Sequence, residues 1–198
     1  MRLDIIIPKN NEVELYEELL RMNKVPVFLY SNLNYSQLSL QLKRLEGFKK
    51  GTYKTAYLFK PESAEELVLD KKIRKAVDYI VGTAQDLKLL RVLIEKGRIN
   101  FFVNIETASG RDHTHYRRSN FNQVLARICK ENNVGYLIDF SRIRNMVSME
   151  KRATLIGRIS QNTKFCRKFN VQVNVMSFAS NVEDIINNDI LESFEKIL

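Results

Sequence analysis

The residues best suited to chemistry lie in one polar stretch, residues 110–118, which contains both histidines of the protein. His113 and His115 are separated by one residue, so an extended chain would point both imidazoles to the same side. Asp112 precedes them, and a carboxylate beside two such histidines resembles the start of a metal site. The stretch ends in Arg117 and Arg118, whose guanidinium groups favour phosphate. Metal chemistry and phosphate recognition are therefore the two interpretations to weigh.

A metal site is the weaker interpretation. Its remaining ligands would have to be carboxylates distant in sequence, such as Asp4, Glu106 or Asp139. For Asp139, an acid at a strand end, an ion pair with a nearby arginine, here Arg142 or Arg144, is the stronger explanation. The chain has no phosphate-binding glycine loop, no dinucleotide fingerprint and no serine in a nucleophile-elbow context. We expect no catalytic residue, no metal and no cofactor.

The positive charge of the protein is concentrated in one segment. The chain carries a net charge of +9, and residues 108–170, with nine arginines and four lysines against four acids, account for all of it. A solvated basic surface would give the same total, but clustering biased to arginine favours bidentate contacts to phosphate. Tyr116, beside the arginine pair, is suited either to stacking on an unpaired base or to packing against the protein. Nucleic acid is therefore the predicted partner class.

The polar stretch is followed by a well-patterned helix and a strand. Ser119 is the predicted N-cap of that helix. Apolar residues at positions 121, 124, 125 and 128 give it one buried face, and two asparagines at 132–133 stop it. An apolar strand, residues 135–140, comes next. The polar stretch is thus held between an upstream strand and this helix, where the binding groups of α/β folds usually lie.

The whole chain alternates between short apolar segments and segments of helical periodicity. The predicted strands are residues 3–7, 25–30, 52–59, 78–81, 99–105, 135–140 and 171–176, and predicted helices cover 12–22, 36–45, 84–96 and 149–169, with a further helix start at 61–64. Such alternation predicts parallel strands covered by helices. Periodicity does not choose between a barrel and an open doubly wound sheet. The length fits a single domain, residues 1–198.

The long helix 149–169 has two predicted faces. Positions assigned to the core are Ala153, Ile156, Ile159 and Cys166, and positions assigned to the outer face are Lys151, Arg158, Lys164 and Lys168. The outer face is interpreted either as ordinary solvent surface or as the second half of an RNA-binding surface that continues from the arginine pair.

The residues around the polar stretch resemble a known family. Asp112, His115, Arg117, Ser119 and Asn122 are similar to a segment of the archaeal and eukaryotic ribonuclease P protein component 3 family, which has an aspartate, a histidine and then Arg-x-Ser-Gly-Leu-Asn-x-Val-Leu-Ala. The similarity continues through helix 149–169 and strand 172–177, so it covers about the last 90 residues.

The sequence departs from this family pattern at three places. Asn120 occupies the position of the glycine after the serine. Phe178 occupies the position of the glycine in a Ser-Gly-Ala turn that follows the last strand of the family. A Leu-Arg pair expected soon after that turn is replaced by acidic and apolar residues at 183–186.

The resemblance implies a fold and a function. The fold is an α/β barrel with about seven parallel strands, similar to a TIM barrel shortened from eight strands. The function is that of a non-catalytic protein subunit of ribonuclease P, the endoribonuclease that removes the 5′ leader of precursor tRNA, with catalysis carried by RNA. The implied partners are the ribonuclease P RNA, precursor tRNA and other protein subunits, and the isolated protein is expected to be inactive.

The alternative function is a free-standing metal-dependent phosphoesterase on a PHP-like barrel. Barrels of that type carry a His-x-His just after the first strand, and residues 3–8 contain no histidine. On the leading interpretation, the predicted RNA-binding residues are Arg111, His115, Tyr116, Arg117, Arg118, Arg142, Arg158 and Lys168. The predicted loop-organising residues are Asp112, Ser119 and Asn122.

Cysteine use and hydropathy bear on the cellular setting. The only cysteines are Cys129 and Cys166, each on a predicted helix among apolar neighbours, so we expect packed thiols and a reducing cytoplasm. No apolar run approaches the roughly 20 residues of a membrane span, and the first residues do not resemble a signal peptide. The sequence therefore predicts a soluble cytoplasmic protein with no membrane partner.

Overall fold

The computed structural model describes residues 1–63, 66–84, 86–106, 112 and 117–198. The strands are β1 (Arg2–Ile6), β2 (Lys24–Ser31), β3 (Lys54–Phe59), β4 (Tyr79–Gly82), β5 (Phe101–Val103), β6 (Gly135–Asp139) and β7 (Val173–Met176). The helices are α1 (Glu12–Arg21), α2 (Tyr35–Lys43), α3 (Lys71–Ala76), α4 (Leu87–Lys96), α5 (Gln123–Glu131), α6 (Phe140–Arg144), α7 (Met149–Lys168) and α8 (Asn188–Ile197). A 3-10 turn spans Val182–Asp184.

The strands form one parallel sheet in sequence order, from β1 to β7. The sheet curls until its two edges meet. Ile6 forms a parallel bridge with Ala179, and the Ile7 amide donates to the Ala179 carbonyl at 2.8 Å. The fold is therefore an α/β barrel of seven parallel strands, nearly closed, which confirms the predicted fold class.

Alternate residues of each strand contribute to two apolar layers, because successive side chains of a strand point to opposite faces. The barrel interior is formed by one set: Ile5, Val27, Leu29, Ala56, Val81, Val103, Leu137, Met176 and Phe178. The other set packs under the helices and includes Ile6, Phe28, Tyr57, Ile80, Phe102, Tyr136 and Val175. The strands are thus buried on both faces, as parallel sheets require.

A buried polar cluster closes the seam between β1 and β7. Asp4 and Lys24 are fully buried, and the Lys24 ammonium donates to Asp4 Oδ2 at 2.6 Å. The amide and hydroxyl of Ser177 also donate to the Asp4 carboxylate, at 2.6 and 2.7 Å. Lys24 further donates to the Ile186 carbonyl, and the Ile186 amide donates to the Ser177 hydroxyl at 3.0 Å. One ion pair therefore joins β1, β2, the end of β7 and the segment after the 3-10 turn.

Several element boundaries differ from the sequence predictions. The strand predicted over 99–105 is shortened to β5, since Asn104 turns away with φ of 57°. The helix predicted from residue 84 begins at Leu87, where Asp86 caps it. The helix start predicted at 61–64 is wrong for the described residues there, and α3 begins only after its cap, Asp70.

Both thiols are buried, as predicted, and burial raises the pKa of Cys129 to about 12. No helix among residues 1–63, 66–84, 86–106 and 117–198 is long and apolar enough to cross a membrane.

Candidate nucleic-acid interface

The carboxylate of Asp112 binds several residues of the segment before α5, the arginine loop, of which the structure describes Asp112 and residues 117–121. It accepts from the Arg118 amide at 3.0 Å and from the Arg158 guanidinium, through Nε, at 2.8 Å. The Arg117 guanidinium approaches its second oxygen at 3.3 Å. One acid therefore binds the backbone of the arginine pair and two arginine side chains at once.

These contacts set the pKa of Asp112. Partial burial of the carboxyl acts to raise its pKa, but the hydrogen bonds from the Arg118 amide and Arg158, with the charge of Arg158, outweigh that effect and lower the pKa. A carboxyl with a lowered pKa stabilises the fold above its unfolded-state pKa, and that contribution is lost as the pH falls through the folded-state value. Asp112 is therefore ionised, and its contacts intact, at neutral pH.

A second clamp on the loop comes from Gln161 of α7. Its side-chain carbonyl accepts from the Arg117 amide at 2.8 Å, and its side-chain amide donates to the Arg117 carbonyl at 2.8 Å. The same amide donates to the Ser119 hydroxyl at 2.9 Å. Both backbone polar groups of Arg117 are thus bound by one side chain, which fixes the loop against α7.

Gly157, one turn before Gln161, lets the loop come this close. A Cβ built at Gly157 would overlap the Arg117 guanidinium, so that group lies directly on the helix backbone. The Arg117 side chain is 47% exposed and retains an open side toward solvent. The guanidinium is therefore oriented by Asp112 and α7 together.

Arg158 is not on the outer face of α7, where it was predicted to contact RNA. Its side chain is 8% exposed and donates to Asp112 and, at 3.2 Å, to the Glu106 carbonyl. It therefore binds residues on both sides of the segment 107–111. The buried face of α7 also differs from the prediction, since Ala153 is exposed. The residues buried on α7 are Leu155, Arg158, Ile159, Asn162, Thr163 and Cys166.

The N-cap of α5 is Asn122, and the prediction that Ser119 caps this helix is wrong. The Asn122 side chain accepts from the Leu125 amide at 2.9 Å. Ser119 is nearly fully buried and binds Gln161 instead. The physical reason lies between them: Asn120 has φ of 53°, so the chain makes a further turn before the helix begins. Asparagine is suited to both positions, because it tolerates the left-handed backbone found at Asn120 and is a preferred N-cap, as at Asn122.

We expect Ser119→Ala and Asn122→Ala to destabilise the protein for different reasons. Asn122→Ala removes the acceptor for a first-turn amide of α5 and should cost about 1 kcal/mol. Ser119→Ala leaves one Gln161 amide hydrogen without its acceptor and should cost about 1 kcal/mol. Urea unfolding of both variants measures this. Lys164→Ala, at an exposed position of α7, is the control and should change stability by less than about 0.5 kcal/mol. Wild-type stability in both variants would contradict the assignment.

The remaining predicted RNA contacts fall into two groups. Arg118 is exposed, and its side chain has no partner among the described residues. Lys168 is exposed on the last turn of α7, donates to Gln123 at 3.2 Å and lies 5.8 Å from the centre of the Phe169 ring. Arg142 is half-buried, donates to Asn104 at 3.2 Å and lies 3.9 Å from Glu106. Arg118 and Lys168 are therefore available to a partner, whereas Arg142 is part of a polar network at the strand ends.

That network includes residues whose role the sequence did not reveal. Glu106 is buried, and burial raises its pKa, while the hydrogen bond from Tyr136 and the charge of Arg142 oppose the rise. Tyr136, buried on β6, donates its hydroxyl to the Glu106 carboxyl. Asn162 of α7 lies against both groups. The available signal was Asn162 itself, a polar residue one turn from Arg158 on the face of α7 that also carries Ile159 and Cys166.

Asp139 is a helix cap and not the arginine partner that sequence suggested. Its carboxylate accepts from the Arg142 amide at 3.1 Å and so begins α6, and it also accepts from the Ser141 hydroxyl at 2.7 Å. Arg144 pairs with Asp184 instead. The strand-end carboxylates are therefore occupied in structural bonds.

Three predicted contacts, Arg111, His115 and Tyr116, lie outside the described residues, as does His113. Within the residues that are described, no group of three histidine, cysteine or acidic side chains is placed to hold a metal ion.

Neither a model of a known protein family nor a curated protein matches this sequence. Solved structures do match. A chain in the cryo-EM structure of archaeal ribonuclease P with mature tRNA shares the fold over 100% of this chain and 82% of its own length, with a TM-score of 0.75 and 22% sequence identity. The crystal structure of an uncharacterised protein matches with a TM-score of 0.51 and 8% identity, over 94% of this chain and 56% of that one. At these identities, the comparisons establish a shared barrel fold.

Proposed function

We propose that this chain is a protein subunit of ribonuclease P, related to the component 3 family, and that it binds the catalytic RNA through the arginine loop. The observation that carries the proposal is that one carboxylate, that of Asp112, binds Arg117, Arg118 and Arg158. Asp112, Arg117 and Ser119, which carry the sequence resemblance, make contacts that shape this one loop, and Asn122, which also carries it, caps the helix that follows. A motif whose members organise a single exposed basic loop is best explained by a role for that loop.

The two glycine positions at which the sequence departs from the family pattern support the proposal. Asn120 and Phe178 both have positive φ, 53° and 49°. Glycine adopts this conformation at no steric cost, whereas phenylalanine adopts it with strain. The backbone that the family's glycines favour is therefore kept although the glycines are absent. The match to a chain of an archaeal ribonuclease P structure over the full length supports the same assignment.

The chemistry of the loop suits phosphate binding and not catalysis. Arg118 is exposed, and the Arg117 guanidinium is held in place with an open side, so together they offer one oriented and one exposed cation for phosphate oxygens. Lys168, farther along α7, offers a third cation. The proposed partners are the ribonuclease P RNA with its precursor tRNA and other protein subunits, in the cytoplasm. On this proposal, the RNA catalyses the hydrolysis of precursor tRNA.

Arginine substitutions in the loop should change the salt dependence of RNA binding. Each phosphate contact contributes about −0.7 to −0.9 to the slope of log K against log salt. Arg118→Ala should therefore flatten the slope by about one contact and Arg117→Ala/Arg118→Ala by about two. Fluorescence anisotropy with a structured RNA at several salt concentrations measures this.

The matched control is Lys50→Ala, which removes an exposed cation in the loop before β3, at the other end of the barrel. Its slope should equal that of the wild type. Equal slopes for the wild type and the double arginine variant, with circular dichroism unchanged, would contradict the proposed interface.

The identity of the RNA is tested by purifying the protein from native cells and sequencing the RNA that accompanies it. We expect enrichment of the ribonuclease P RNA. The competing function, a metal-dependent phosphoesterase, requires hydrolysis of a phosphate ester by the purified protein with a divalent metal and no RNA. Such hydrolysis, with no enrichment of that RNA, would overturn the proposal.

A further inference from the structure

A cavity of about 230 Å³ lies on the barrel axis, at the end opposite the arginine loop. Side chains from all seven strands line it, among them Val27, Ala56, Val81, Leu137 and Met176. Its mouth is formed by residues at the strand starts, such as Arg2, Tyr79 and Phe101. Because the strands are parallel, their starts share one end of the barrel, whereas Asp112 lies beyond the end of β5.

The interior is filled at one end and hollow at the other. Phe178, just after β7, points into the interior layer with Leu29 and Val103 and is 3% exposed. The fully buried Ala56 is the smallest side chain of this layer, and it pairs in register with Leu29 on β2 and with Tyr79, at the start of β4. The cavity opens at the strand starts, and a closely packed barrel interior would leave less room there. The small side chain of Ala56 thus leaves room for a bound small molecule.

Asn174 is the polar side chain on the interior face of the cavity, and Gln172, just before β7, is an exposed second amide of its lining. Asn174 lies on the interior face of β7, paired in register with Leu137, and it lines the cavity. Within the described residues its side-chain amide has no hydrogen-bond partner. Arg2, at the mouth, is occupied, since its guanidinium donates to the Val175 carbonyl at 2.8 Å and to Glu195 at 3.1 Å. The lining therefore offers apolar surface, the Asn174 amide on the interior face, the exposed amide of Gln172 and no unpaired charge.

We propose that this cavity is a binding site for a small uncharged aromatic molecule with one hydrogen-bonding group, of the size of indole. An apolar cavity of about 150 Å³ in another protein holds benzene, so the larger volume here accommodates a fused pair of rings. The amide carbonyl of Asn174 accepts from the ligand N–H, and the apolar walls contact both rings. This site is independent of the proposed RNA-binding function.

Titration with indole, followed by isothermal calorimetry and by the rise in melting temperature, tests the site. Indene, which has the same shape but no N–H, is the matched ligand. We expect saturable binding of both, with indole the tighter by about threefold to tenfold because of one additional hydrogen bond. Asn174→Leu should make the two ligands equal. Absence of saturable indole binding to the wild type would overturn the proposal.

Filling the cavity provides the second test. Ala56→Met places a larger side chain in the void, so indole binding should be lost while the melting temperature of the free protein is kept or raised. Val27→Leu fills the cavity from the neighbouring strand β2. It serves as the test variant if Ala56→Met does not fold. Unchanged indole affinity in a folded filling variant would show that indole binds elsewhere. RNA binding by Ala56→Met should equal that of the wild type, so the two proposals fail separately.

Discussion

Replacing Asp112 with alanine is expected to weaken RNA binding by about tenfold or more, although it removes a negative charge from a surface proposed to bind phosphate. The substitution takes away the shared acceptor of the Arg118 amide, Arg117 and Arg158. Charge-assisted hydrogen bonds are worth about 1.5–3 kcal/mol each, and a loss of 1.4 kcal/mol in binding is about tenfold. RNA titration at fixed salt measures the effect.

The sign of this change separates two roles for the same residue. If Asp112 were only a surface acid, its removal would reduce repulsion of RNA and tighten binding. If it orients the arginine pair, its removal disorders the cations and weakens binding. Glu150→Ala, which removes an exposed acid from the first turn of α7, is the control, and it should bind RNA slightly more tightly. Tighter binding by both variants would contradict the organising role.

Arg158 adds a stability effect to the same substitution. Its side chain is 8% exposed and would lose its carboxylate partner in Asp112→Ala. The double variant Asp112→Ala/Arg158→Met also removes the buried charge that has lost its carboxylate, so it should recover stability but not RNA affinity. That separation shows whether the affinity loss follows from loop geometry or from a partly unfolded protein.

The second large effect concerns the barrel seam. Lys24→Met should destabilise the protein by about 3–5 kcal/mol, because it leaves the Asp4 carboxylate buried without its cation. Ser177 would still donate two hydrogen bonds to that carboxylate, which keeps the cost within this range. Urea unfolding, with the midpoint and slope fitted separately, measures the change.

Two further variants make this result specific. Lys54→Met breaks the exposed ion pair with Asp78, in which both side chains are about 40% exposed. It should cost less than about 1 kcal/mol. Asp4→Asn/Lys24→Met removes both charges and should be more stable than the sum of the single variants implies. A loss in Lys24→Met no larger than that in Lys54→Met would show that the seam does not depend on the buried pair.

The strands and most of the helices of this protein follow from the periodicity of its sequence, whereas α6 and α8 were not predicted. Alternating apolar segments predicted seven parallel strands, and all seven are present, with ends shifted by a few residues. The stop predicted at residues 132–133 is present, since Asn133 takes φ of 54° after α5. These features depend on periodicity and on the backbone preferences of single residues, which the sequence shows directly. The basic character of residues 108–170 was equally visible.

The closure of the sheet was not visible in the periodicity, because buried strands look alike in a barrel and in an open sheet. Closure depends on contacts between residues far apart in sequence, such as Asp4 with Ser177 and Ile6 with Ala179. The family resemblance, not the pattern, favoured the barrel. The cavity beside Ala56 has the same origin, since a void is defined by side chains from all seven strands.

The organisation of the candidate interface was likewise decided by tertiary contacts. Arg158 and Lys168 look alike as cations on α7, yet the first is buried against Asp112 and the second is exposed. Gln161 gave no sequence signal, although it binds both backbone polar groups of Arg117. Composition reports how many arginines a segment has. Which of them support the loop and which face a partner depends on where a carboxylate or an amide from another element reaches them, and only the folded chain brings those groups together.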